Sequence, residues 1–155
     1  MSFIRNLVAT SVFLFPGMGI AQQIVATDGT SVAAFFEAEG VEPTIETDNV
    51  GDPKIEVDYY GSEFSIYYYG CDDGKNCDSI QFFSGYRTDG SVRLSKVNEW
   101  NADKRYGIAY ISSTGSTRIE QDVYLGREGM NSDDFAKLVG IWVRTMKDFE
   151  EHIDW

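Results

Sequence analysis

The chain has 155 residues, 43% of them hydrophobic and 14% aromatic, which suits one ordinary domain with ample material for a packed core. Its 13 basic and 25 acidic residues give a formal net charge of −12, which argues against nucleic acid as a partner. An acidic surface of this kind favours a basic protein or a cation, or serves only to keep the domain soluble.

The first 21 residues differ from the rest. Arg5 is their only charge, Leu7 to Phe15 is an unbroken apolar or small run, and Pro16 and Gly17 break any helix before Gly19-Ile20-Ala21. That order predicts a secretory signal, 1–21, cleaved near Ala21, with 22–155 left as a single periplasmic or secreted domain. The apolar stretch is short of the roughly 20 residues that a bilayer span needs, so no stable span is expected after cleavage. Cleavage leaves 12 basic and 25 acidic residues, a net charge of −13.

Val32, Phe35 and Phe36 recur at helical spacing between Thr30 and Glu39, with Asp28 and Thr30 as capping residues and Gly40 as a stop. Val41 to Thr47 alternates loosely, Val41, Pro43 and Ile45 opposite Glu42, Thr44 and Glu46, and Pro43 suits an edge strand. Lys54 to Tyr59 alternates cleanly, with Ile55, Val57 and Tyr59 on one face. In Glu63 to Tyr69, Phe64, Ile66 and Tyr68 share one face while Tyr67 and Tyr69 share the other. Ser79 to Tyr86 places Ile80, Phe82 and Tyr86 opposite Phe83 and pairs with the preceding strand as a hairpin.

Cys71 and Cys77, the only cysteines, sit in the turn of that hairpin. An even count in an exported chain points to a disulfide around Asp72 to Asn76, two buried thiols being the alternative. Ser95 offers an N-cap for a helix carrying Leu94, Val97, Trp100 and Lys104 on one stripe, with Gly107 beyond it. Tyr106 to Ile111 and Thr117 to Leu125 form a second hairpin around Ser112 to Ser116, with Ile119, Val123 and Leu125 inward and Arg118, Glu120 and Asp122 outward. Phe135, Leu138, Val139, Trp142, Met146, Phe149 and Ile153 mark a final amphipathic helix. Asn131 caps it, and Met130 and Phe135 are placed as a hydrophobic staple. These elements predict an α+β domain in the order α-β-β-β-α-β-β-α, with an antiparallel sheet of about five to six strands, the Val41 to Thr47 segment being the variable one.

Catalytic constellations are missing from this pattern. His152, the only histidine, is three residues from the end of the chain and makes a poor base for Ser or Cys nucleophiles. Zinc would need more ligands than Cys71, Cys77 and His152. Asp72, Asp73, Asn76 and Asp78 suggest calcium, but Gly74 falls where an oxygen ligand belongs, and a solvated acidic turn is the plainer reading. No carboxylate pair is singled out for glycoside chemistry, and no glycine-rich phosphate loop is present. The expectation is therefore a domain without catalytic residues, metal or cofactor.

The Tyr-rich strand supplies more rings than one core face can bury, so Tyr60, Tyr67, Tyr69 and Phe83 are the candidate partner-binding residues, unless helices cover both faces. Asn98 and Asn101, around Trp100, are short amides in a helix, where bonding to a neighbouring strand or loop explains them better than a ligand site does.

The run from Tyr69-Gly70-Cys71-Asp72-Asp73-Gly74 through Lys75-Asn76-Cys77-Asp78-Ser79-Ile80-Gln81-Phe82, followed by Lys96-Val97-Asn98-Glu99-Trp100-Asn101, resembles the exported branch of the YbjN family. The resemblance extends through Lys104-Arg105-Tyr106-Gly107, Glu120-Gln121-Asp122-Val123 and the Trp142 to Trp155 helix, covering roughly Asp52 to the end. It implies a bent antiparallel sheet packed by helices, similar to type III secretion chaperones, which often form dimers that hold a partner polypeptide. It carries over no catalytic residue. The function expected is a non-enzymatic binding or chaperone-like domain with a regulatory or stress-related role in the bacterial envelope, its partner another protein or a second copy of itself. A carboxylate-based enzyme, a calcium-dependent module and a passive structural envelope protein are the alternatives.

Overall fold

The computed structural model describes residues 23–155, so the expected signal, 1–21, lies outside the described residues. The elements are β1 Gln23–Ile24, α1 Thr30–Ala38, β2 Thr44–Thr47, β3 Pro53–Tyr59, β4 Ser62–Tyr69, β5 Ser79–Tyr86, α2 Leu94–Asp103, β6 Ile108–Ile111, β7 Thr117–Tyr124, β8 Met130–Asn131 and α3 Ser132–Ile153. Six strands form one antiparallel sheet in the order β2-β3-β4-β5-β7-β6, and β1 pairs with β8 as a separate two-stranded sheet. The α+β class and antiparallel sheet are as expected from the sequence, with the Val41 to Thr47 segment contributing β2 as an edge.

Register follows from the alternating pattern. Ile55 opposes Ile66, which opposes Phe82, while Lys54 opposes Tyr67, which opposes Gln81. Because side chains alternate, every Phe64, Ile66 and Tyr68 neighbour on the first face is buried, and the second face stays polar and aromatic. Both long-face helices cover the first side. Phe36 of α1 meets Phe64 edge-on, Phe35 meets Phe135 of α3 at 4.9 Å, and Trp142 of α3 stacks on Phe82 at 5.7 Å. Each such side chain, fully buried, contributes roughly 1.5–3 kcal/mol.

Helix ends are specified locally. The N-cap of α1 is Gly29, without a side-chain capping bond, rather than Asp28 or Thr30, while Asp28 Oδ1 accepts from the Thr30 amide and hydroxyl; at the other end Gly40, with φ of 80°, lets the Gly40 and Val41 amides bond back to the Glu37 and Phe36 carbonyls. Asn131 caps α3 by accepting from the Asp134 amide at 2.9 Å, as the sequence predicts.

Other local expectations are corrected. Ser95 is inside α2, whose N-cap is Arg93 without a side-chain bond, and Leu94 is exposed rather than on the buried stripe of Val97 and Trp100. Ile45 is exposed, because β2 begins only after Pro43 and lies at the sheet margin beyond the reach of the helices. The two-residue strands β1 and β8 have no counterpart in the sequence reading, yet they bring the fully buried Ile24 into the core.

Candidate binding face

Among the described residues, no helix lies over the second face of the main sheet. Cross-strand pairing builds it in rows: Thr44, Glu56, Ser65, Phe83, Glu120 and Ile108 form one, and Glu46, Lys54, Tyr67, Gln81 and Asp122 form the next. A third row runs Tyr69, Ser79, Tyr124. Tyr67 and Phe83 are half-buried and meet edge-on with ring centroids 5.5 Å apart. Tyr69 is 44% exposed and Tyr124 is 76% exposed.

The rings on this face already hold cations. Lys54 Nζ lies 5.4 Å from the centre of Tyr67, and the Arg118 guanidinium lies 5.7 Å from that of Phe83. Lys54 is also paired with Glu46 at 3.7 Å and with Glu56, whose hydrogen bond raises the lysine pKa against the opposing effect of burial. Burial raises the Glu120 carboxyl above its ordinary range, with the Asp122 charge adding to the effect and a bond from Tyr110 and the Arg118 charge opposing it. The Tyr69 hydroxyl is raised above its ordinary pKa by burial first and then by the charges of Glu120 and Asp122.

Of the candidate partner-binding residues, Tyr67, Tyr69 and Phe83 are brought together on this face, and Tyr60 is not. Tyr60 takes a left-handed backbone, φ 52°, in the β3–β4 turn, and its hydroxyl donates to the Glu39 carbonyl at 2.9 Å, which turns it toward the end of α1. Tyr124 completes the face. It is in phase with Glu120 and Asp122 along β7, so the same alternation that places those acids outward was the signal for it.

Cys71 and Cys77 form a disulfide. Inside it, Asp72 and Lys75 exchange backbone bonds, and Asp73 and Gly74 both have positive φ, 51° and 72°. This is the Asp-Gly type I′ turn, whose sequence signal lay within the cysteine loop. Asp78 then ties the hairpin to β7, its carbonyl accepting from the Leu125 and Gly126 amides at 2.9 Å.

Asn101 and Trp100 are structural. Asn101 Nδ2 donates to the Ala109 carbonyl at 3.0 Å and its Oδ1 accepts from the Ala109 amide at 2.9 Å, so one side chain pairs both edge-facing backbone groups of that residue in β6. Trp100 Nε1 donates to the Gly107 carbonyl at 2.8 Å and its ring packs on Phe149 at 4.8 Å. Asn98, by contrast, is exposed and takes no part in this pairing. His152 Nε2 bonds the Lys96 carbonyl at 2.7 Å. Among the described residues, no group of three or more His, Cys, Asp or Glu is disposed to hold a metal ion, and no helix is long and apolar enough to cross a membrane.

The sequence model of the YbjN family, described as "Putative bacterial sensory transduction regulator", matches residues 28–155. The chain belongs to the YbjN family. The crystal structure of YbjN from E. coli, described as a putative transcription regulator, is similar to this fold with a TM-score of 0.61 at 13% identity, over 83% of this chain and 90% of that one. No curated protein matches the sequence. Membership in YbjN agrees with the motifs around Cys71 and Trp100, and the family is described by regulation rather than by catalysis.

Proposed function

We propose that this YbjN-family protein is a non-enzymatic binding domain, chaperone-like in that it holds a partner polypeptide, and that it acts outside the cytoplasm in the bacterial envelope. The observation that carries the reading is the bare sheet face bearing Tyr67, Phe83, Tyr69 and Tyr124 between charged residues. Aromatic rings with a polar tip are the side chains enriched at protein interfaces, because they bury area while keeping a hydrogen-bonding group in contact with water. The regulatory description of the family fits a protein that works through contacts with others. Export is supported by the signal-like order of residues 1–21 and by the disulfide, a bond that persists in oxidising compartments.

The test is capture of envelope proteins by the immobilised, oxidised protein, with Tyr69→Ser and Tyr67→Ser compared against the parent. A specific protein retained by the parent and lost by both variants is the expected result. Tyr69→Ser should leave stability within about 0.5 kcal/mol, since its ring is substantially exposed. Retention unaltered by both substitutions would move the binding site off this face.

A further inference from the structure

We infer that the open face is built for a basic polypeptide, and that a Lys or Arg side chain of the partner enters the corner formed by Tyr69, Tyr124, Glu120 and Asp122. This rests on the proposed binding face and adds the chemistry of its occupant.

Charge is the first argument. The face carries Glu46, Glu56, Asp58, Glu63, Glu120 and Asp122 against Lys54 and Arg118. A second copy of this chain would bring the same excess of negative charge to the contact, so a homodimer through this face is opposed by repulsion, whereas a cationic segment is steered toward it.

The face also shows its own preference internally. Two of its rings, Tyr67 and Phe83, already have a cation over them, supplied by Lys54 and Arg118. Among the described residues, Tyr69 and Tyr124 on the same face have no cation over them. They flank Ser79 in register, two strand spacings or about 10 Å apart, room for one long side chain between them. The Tyr69 hydroxyl donates to Gln81 Oε1 at 3.3 Å, and Gln81 Nε2 donates to Asp122 Oδ1 at 2.8 Å, so Tyr69, Gln81 and Asp122 form one hydrogen-bonded line beside the gap. Among the described residues, neither Glu120 nor Asp122 is in an ion pair. An incoming ammonium or guanidinium would find ring faces with Asp122 in the next row and Glu120 one row beyond it on β7, a combination of ring and carboxylates like the one that Lys54 occupies with Tyr67, Glu46 and Glu56.

The experiment uses two fluorescein-labelled peptides, one of alternating Lys and Val and one of alternating Glu and Val, titrated into the purified protein by fluorescence anisotropy. Three proteins are compared: the parent, Glu120→Gln/Asp122→Asn, and Glu37→Gln/Glu151→Gln, which removes the same charge from exposed positions on α1 and α3. The Lys peptide should bind the parent, lose about fivefold to tenfold in affinity with the first double variant and change less than twofold with the second. An equal loss in both variants would mean diffuse attraction to an acidic protein and would overturn the assignment, as would failure of the Lys peptide to bind. Binding of the Glu peptide that is lost in Tyr69→Ser would overturn the charge inference while leaving the binding face intact.

Discussion

At the scale of single residues, two amides one turn apart in α2 have opposite weights. Asn101 pairs both edge-facing backbone groups of Ala109, so Asn101→Ala leaves a donor and an acceptor of β6 without protein partners and should cost about 1–2 kcal/mol. Asn98→Ala should stay within about 0.5 kcal/mol. Chemical denaturation of the two variants checks this, and equal losses would contradict the pairing. Tyr68 makes the converse case. Its side chain is fully buried and its hydroxyl has no hydrogen-bond partner among the described residues, so Tyr68→Phe should stabilise the protein by about 1 kcal/mol at neutral pH. Burial first, with the Asp28 charge second, pushes the Tyr68 pKa far above 10. In that situation the native state keeps a proton that the unfolded chain releases above its ordinary value near 10, so stability falls as pH rises past that point. Burial likewise raises Tyr86, which Ser84 partly opposes and Glu150 reinforces. The alkaline fall should therefore be shallower in Tyr68→Phe and not abolished, which unfolding measured between neutral pH and pH 11 would show.

At the scale of elements, legibility depended on length. The 22 residues of α3 repeat their apolar stripe often enough to fix face and start, and β4 alternates over eight residues, so both could be read directly. β1 and β8, two residues each, contain no period at all, and Ile24 is buried by a pairing with residues more than a hundred positions away. Ser95 misled because a good capping residue is also tolerated within the first turn of a helix, and here α2 starts at Leu94 without any side-chain cap. The β4–β5 hairpin is closed twice, by the type I′ turn at Asp73-Gly74 and by the disulfide around it. Since the Asp72–Lys75 backbone bonds close the turn in addition to the disulfide and the loop is short, Cys71→Ala/Cys77→Ala should lose less than about 3 kcal/mol. Hydrogen exchange should quicken at the Asp78 amide, which bonds the Tyr69 carbonyl beside the disulfide, and leave the middle of α3 protected. Loss of protection throughout would show that the bond supports the whole fold.

At the scale of the whole molecule, the candidate face was only half legible. Tyr67 and Tyr69 could be assigned to one side of β4, but Phe64, Ile66 and Tyr68 make the other side equally rich in apolar groups, and which side α1 and α3 would cover is decided by packing among distant segments. Tyr60 could not be placed by alternation because its left-handed turn lies outside it. The two margins of the main sheet are also unequal. β6 is flanked by α2 and has Ala109 paired to Asn101, while every residue of β2 is exposed. A sheet that can be lengthened from one margin only is unable to template a polymer of itself: two copies joined along β2 would each present an obstructed strand to the next, and growth would stop at two. A single amide in α2 thus closes one margin of the sheet while β2 leaves the other open to one added strand.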